Sequence, residues 1–151
     1  MKTLVFDMDG TIVDFYGVNG WLEDLQTEQT RPYDIAEPLW DMDELNTVLE
    51  ELQKIGWHIV VTSWLAKQST ERYKTLVRRA KLEWLARNGF PYDEIHLVQY
   101  GTTKANCTRK LGGNQILVDD NKTVREGWHL GETIDPTTEN LIEILKTLLD
   151  K

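Results

Sequence analysis

The chain is predicted to fold as a three-layer α/β domain, a parallel sheet with helices on both faces, from three observations. Short apolar runs end in polar or carboxylate residues at 3–6, 59–62, 95–98 and 116–119, the pattern of strands buried on both sides. Helical patterns separate these runs, and strands alternating with helices imply right-handed crossovers in one parallel sheet. The length of 151 residues fits a single domain, 1–151, rather than two.

The elements follow in order. Thr3 to Phe6 make the first strand, ended by Asp7. Residues 14–40 then break the alternation, because Phe15, Tyr16, Trp21, Tyr33 and Trp40 recur without a sustained period among Gly17, Gly20, Pro32 and Pro38. This stretch is expected to be an inserted loop or minimal cap, and such loops are uncommon in compact domains unless they do a job. A helix over 41–55 follows, with Met42, Leu45, Val48, Leu49, Leu52 and Ile55 on one face, Asp41 and Glu44 as a capping box, and Gly56 as the stop. After the strand at 59–62, a second helix is predicted from about 66 to 88, with Tyr73, Leu76, Val77, Ala80 and Trp84 inward and Gly89-Phe90-Pro91 ending it. The strand at 95–98 leads to a short helix over 104–111, stopped by Gly112-Gly113. The strand at 116–119 leads to a last helix over 138–149, whose apolar side is Leu141, Ile142, Ile144, Leu145, Leu148 and Leu149. There is no internal repeat or low-complexity tract.

Composition excludes several classes of function. Lys and Arg number 17 against 25 Asp and Glu, a net charge of -8, so general coating of nucleic acid is disfavoured. No apolar run approaches the roughly 20 residues that span a bilayer, so no membrane partner is expected. Asp7 and Asp9 interrupt any apolar leader, and no secretion signal is expected. Cys107 is the only cysteine, which precludes an intrachain disulfide and a cysteine-based zinc site; a reducing, cytoplasmic setting fits best. His58, His96 and His129 lack metal-ligand spacing, and Asp14, Asp93 and Asp135 read as cap or turn residues.

In an open parallel sheet, ligands bind beyond the carboxyl ends of the strands. The residues at those ends are Asp7 and Asp9, Thr62 and Ser63, the loop 99–104 ending in Lys104, and Asp119 and Asp120. Four converging carboxylates repel one another unless a cation lies among them. Oxygen ligands without His or Cys favour a hard ion, and one that meets a phosphate is usually magnesium. A lysine and hydroxyls on the same edge suit an anionic group opposite the metal. Together these parts describe phosphoryl transfer.

These residues carry a resemblance. Asp7-Met8-Asp9-Gly10-Thr11 after the first strand, Thr62 at the end of the second, Lys104 opening a helix and Asp119-Asp120 after the fourth strand resemble, in order, the four motifs of the haloacid dehalogenase superfamily. The resemblance implies a Rossmann-like core and a magnesium cofactor. It makes Asp7 the nucleophile that forms an aspartyl-phosphate and a metal ligand. Asp9 would be the acid and base of the two half-reactions, with its backbone carbonyl on the metal. The carboxylate at Asp9 favours phosphate chemistry over dehalogenation. Thr62 would donate to the phosphate, with Ser63 either a helper or a cap of the next helix, and Lys104 would neutralise charge on Asp7 and the phosphoryl oxygens. Asp119 would be a direct metal ligand, and Asp120 a second ligand or one acting through water.

The short 14–40 insertion resembles a minimal cap, which leaves the site open to large substrates or to closure by a partner subunit, so a homo-oligomer is compatible. Residues 118–128, with paired aspartates before a helix carrying Trp128, resemble the matching stretch of deoxyribonucleotidases and of polynucleotide 3'-phosphatase domains. Trp21, Tyr33 or Trp40 could stack on a nucleobase, or equally pin the insertion to the core. Residues 66–88 carry seven basic against two acidic side chains, while 23–51 hold ten acids against Arg31 alone. The acidic side would hinder a long phosphate backbone. The expected activity is therefore a magnesium-dependent phosphomonoester hydrolase acting on a nucleotide or other small phosphorylated substrate. The alternatives are a 3'-phosphatase on nucleic-acid ends and a nucleotide-binding protein with little turnover.

Overall fold

The computed structural model describes residues 1–150. Five strands, β1 (Lys2–Phe6), β2 (Trp57–Trp64), β3 (Glu94–Val98), β4 (Asn114–Val118) and β5 (Thr133–Ile134), form one parallel sheet in the order β3-β2-β1-β4-β5. The helices are α1 (Trp21–Gln26), α2 (Arg31–Ile35), α3 (Met42–Lys54), α4 (Glu71–Arg87), α5 (Ala105–Thr108), α6 (Lys122–Glu126) and α7 (Leu141–Leu148), with a 3-10 turn at Arg109–Leu111. The class is α/β, as predicted. Among the described residues no helix is long and apolar enough to cross a membrane.

Alternation along the strands sorts the core into two faces. Leu4, Phe6, Ile59, Val61, Ile116 and Val118 face a large cluster completed by α3, α4 and α7, whereas Val5, Val60 and Leu117 face a smaller one with Ala105 and Trp128. Chain direction explains the split. From β1 to β3 the strands progress one way across the sheet, then β4 returns to the far side of β1, so right-handed crossovers send α5 and α6 to the opposite face. The reversal opens a crevice between the ends of β1 and β4, where such sheets take ligands.

The structure departs from the sequence expectation where elements are short or turns intervene. Residues 14–40 hold α1 and α2, of six and five residues, too short to display a helical period. Helix α6 ends at Glu126, so Trp128 lies beyond the helix expected to carry it, and the two-residue β5 was too short to show in the sequence. Helix α4 begins at Glu71 rather than near 66, because Gln68 is left-handed at φ 54° and Thr70 caps the helix by accepting from the Tyr73 amide. Strand β2 runs past its apolar run to Trp64, since β3 pairs with it as far as Val98 opposite Trp64. Thr62 and Ser63 therefore lie inside a strand.

Candidate active site

Register brings the first cluster together. Phe6 stands opposite both Val61 and Val118, so Asp7, Thr62 and Asp119 are the next residues of three adjacent strands. They share strand parity with Val5, Val60 and Leu117, the face on which α5 lies. From that side Lys104, at the start of α5, places Nζ 2.8 Å from Asp7 Oδ1 and 2.7 Å from Asp119 Oδ2. Lys104 is buried, which disfavours its charge, but Asp7 and Asp119 outweigh the burial and hold its pKa above the ordinary lysine value. The Asp119 amide donates to the Ile134 carbonyl of β5 at 3.3 Å, and Asp119 Oδ1 accepts from the Asn121 amide at 2.9 Å.

Thr11 organises the other half of the carboxylate edge. Its hydroxyl donates to Asp7 Oδ2 at 3.0 Å and accepts from the Asp120 amide at 3.1 Å. One oxygen each from Asp7, Asp119 and Asp120 lie within 4.8 Å of one another. Burial, then the neighbouring carboxylates, push Asp119 up to about 6 and Asp120 up to about 8. Such shifts mark a concentration of negative charge that Lys104 alone does not neutralise. Gly10 gives Asp120 its room, since it sits at φ 81° and a Cβ there would overlap the Asp120 carboxylate. Three oxygen donors, an uncompensated charge and a glycine that clears space for one of the donors fit a magnesium ion.

A second cluster forms on the opposite face. Ser63 alternates with Thr62 and points toward α4, where the wholly buried Lys81 donates from Nζ to Ser63 Oγ at 2.6 Å and to the Trp64 carbonyl at 2.8 Å. The same Nζ is 3.4 Å from Asp9 Oδ2, which also accepts from the Tyr33 hydroxyl at 2.8 Å. Asp9 Oδ1 is buried with no hydrogen-bond partner. Burial raises the Asp9 pKa; Lys81 opposes this, Asp7 adds to it, and the Tyr33 hydrogen bond opposes it again. Burial and the Asp9 charge together push Tyr33 well above the ordinary phenol value.

Asp7, Asp9, Ser63, Lys104, Asp119 and Asp120 all line one cavity of about 300 Å³. Its remaining wall is aromatic, with Phe15, Tyr16, Trp21 and Tyr33 from the insertion and Trp64 and Tyr100 opposite. The insertion's rings pack on one another at centroid distances of 4.9 to 5.6 Å. Tyr16 is half exposed at the rim, while Tyr33 is buried and committed to Asp9. Trp40 is not part of this wall: its indole donates to the Thr11 carbonyl at 2.7 Å and pins the loop that carries Thr11. Thr62 is level with Asp7, yet its hydroxyl is enclosed without a partner and does not line the cavity. Ser63, one residue on, is the β2 hydroxyl that does.

Two site residues escaped the sequence reading. Thr11 was visible only as the end of the first motif, without a role of its own. Lys81 was hidden among the basic residues of its helix. A signal existed, however, because Lys81 follows Tyr73 and Val77 at intervals of four and precedes Trp84 by three, which puts it on the inward stripe.

The sequence matches no protein-family profile and no curated protein. Among solved structures, the chain is similar to the D,D-heptose 1,7-bisphosphate phosphatase of Burkholderia thailandensis, with 13% identity, the whole of both chains covered and a TM-score of 0.57. An MCSG target from Vibrio cholerae aligns at 20% identity over 99% of this chain and 98% of its own, with a TM-score of 0.46. At its level of identity the Burkholderia likeness establishes a shared fold, the Rossmann-like α/β architecture in which the two side-chain clusters and their lysines are set.

Proposed function

We propose that the chain is a magnesium-dependent phosphomonoester hydrolase working through phospho-Asp7, on a nucleotide or another small phosphomonoester. The observation that carries this reading is the joint placement, in one cavity, of a clamped carboxylate at the end of β1 and a separate, half-buried carboxyl two residues on. An oxygen of Asp7 attacks phosphorus and the bond to the leaving oxygen breaks, while Asp9 gives that oxygen a proton. In the second half, Asp9 takes a proton from water as the water oxygen attacks phosphorus and the bond to Asp7 breaks. A carboxyl whose pKa is raised by burial holds its proton more readily than an exposed aspartate, which suits the first role. Lys104 neutralises Asp7 and faces the phosphoryl oxygens, and Ser63 is placed to donate to them. Asp7, Asp119 and Asp120, with the Asp9 carbonyl, would hold magnesium, which supplies positive charge against the phosphoryl group when bound. The aromatic wall supports a nucleotide, with half-exposed Tyr16 and Trp21 as the stacking surfaces.

The test is phosphate release. The wild-type chain is expected to hydrolyse an aryl phosphate only with magnesium, and Asp7→Asn to reduce release to background. A panel of nucleoside 5'- and 3'-monophosphates, sugar phosphates and 3'-phosphorylated oligonucleotides then ranks the substrates. Turnover that survives Asp7→Asn, or tight nucleotide retention with no release, would sink the reading; a sugar phosphate ranking clearly first would overturn the nucleotide preference alone.

A further inference from the structure

We infer that Lys81 is a positioning residue for proton transfer, tying the acid-base carboxyl of Asp9 to Ser63 at the end of β2. The inference rests on the phosphatase reading. Lys81 is the one charged member of the buried face of α4, among Tyr73, Val77, Ala80, Trp84 and Leu85. A lysine enclosed this completely is unfavourable unless its donors are met, and all of its polar contacts lie at the site: Ser63 Oγ, the Trp64 carbonyl and Asp9 Oδ2. Its Nζ also lies 5.5 Å from the centre of the Tyr33 ring, whose hydroxyl is the other donor to Asp9 Oδ2.

Two consequences follow from this geometry. Asp9 Oδ2 takes both donors, Lys81 and Tyr33, while Oδ1 is enclosed without a partner, so the carboxyl is held in place through one oxygen. Ser63 accepts from Lys81, so its own hydroxyl hydrogen is directed away from Lys81 and is free for a phosphoryl oxygen. Lys104 and Lys81 thus serve different steps from opposite faces of the sheet. Lys104 holds the nucleophile and Lys81 holds the proton donor.

The experiment exploits leaving-group chemistry. A p-nitrophenolate departs without a proton, whereas an alkoxide does not, so a misplaced general acid slows alkyl phosphates selectively. In Lys81→Met, kcat on an alkyl phosphate is expected to fall about tenfold or more, given that general acid catalysis is worth about 10²–10⁴. KM and the rate on p-nitrophenyl phosphate, whose leaving group needs no proton, should change far less. The same bias is expected of Asp9→Asn, and the double variant should be no slower on alkyl phosphate than Asp9→Asn alone. Lys81→Gln, which keeps a neutral donor, serves if the Met variant does not fold. Equal losses on both substrates, or a change in KM alone, would overturn the inference while the phosphatase reading stands. Absence of Asp7-dependent turnover in the wild-type chain would overturn both.

Discussion

As the proposed nucleophile, Asp7 needs its charge held down without its attacking oxygen being lost to a permanent partner. Lys104 and Thr11 take one oxygen each, at 2.8 and 3.0 Å, and a phosphoryl group entering the cavity competes with contacts already set for charge transfer. Removing the ammonium would leave Asp7 and Asp119 facing each other. Lys104→Met is therefore expected to lower the unfolding free energy by about 3–5 kcal/mol, the range for breaking one side of a buried pair, and to abolish phosphate release; urea unfolding with a parallel assay measures both. Gly10 makes a different demand. Gly10→Ala forces a side chain into the left-handed region at a cost of about 1–2 kcal/mol and drives Asp120 from its position. The expected outcome is a folded protein whose magnesium requirement shifts to higher concentration, read by titrating magnesium against activity. Asp7, Asp9, Lys104, Asp119 and Asp120 were legible because strand ends are where topology gathers side chains. Thr11 and Lys81 were not, since their roles come from partners distant in sequence: Asp120 for one, Ser63 and Asp9 for the other.

The insertion and α4 behave as one element. The Trp84 indole donates to the Ala36 carbonyl at 2.9 Å, Arg87 to the Tyr33 carbonyl at 3.0 Å and the Tyr73 hydroxyl to the Gln29 carbonyl at 2.8 Å, while Glu28 accepts from Thr70 at the helix start. This seam fixes Tyr33, and through it Asp9, against the helix that supplies Lys81. Trp84 is fully buried, so Trp84→Ala is expected to cost about 3–5 kcal/mol in packing. Trp84→Phe keeps most of that packing and loses the hydrogen bond, about 1 kcal/mol. Equilibrium denaturation distinguishes the two, and equal losses would mean that the ring packing contributes little. The sequence displayed α3, α4 and α7 because each is long enough for an apolar face to repeat. It concealed α1 and α2, where five or six residues give no period and the aromatic rings pack on one another rather than along a helix face.

For the molecule as a whole, the net charge of -8 is unevenly placed, and the carboxylate edge ties stability to pH and to metal. Asp119 and Asp120 stand at about 6 and about 8, and Asp9 is raised as well, so the folded chain binds protons more tightly than the unfolded chain does. Stability from these groups is full below the ordinary aspartate value of about 3.9 and is lost as pH rises through 6 and 8. Lowered groups act in the opposite sense: Glu94, bonded to His96, and Asp135, bonded to Thr137, have contributed fully once pH exceeds the ordinary carboxylate range. Lys104, raised, gives up its contribution only above the ordinary lysine range. The site acids thus set the slope between pH 5.5 and 8. In chelator, Tm is expected to fall across that interval by a few degrees, because about 1 kcal/mol moves a chain of this size by roughly 2–4 °C; half-buried Asp120 delivers less than its full shift through solvent screening. The proposed magnesium would bind the ionised carboxylates, so its stabilising effect should grow over the same interval and flatten or reverse the decline. Asp120→Asn should remove part of both the decline in chelator and the gain with magnesium. A chelated wild-type chain whose Tm instead rises from pH 5.5 to 8 would show that these carboxylates are not the charge concentration that the geometry makes them.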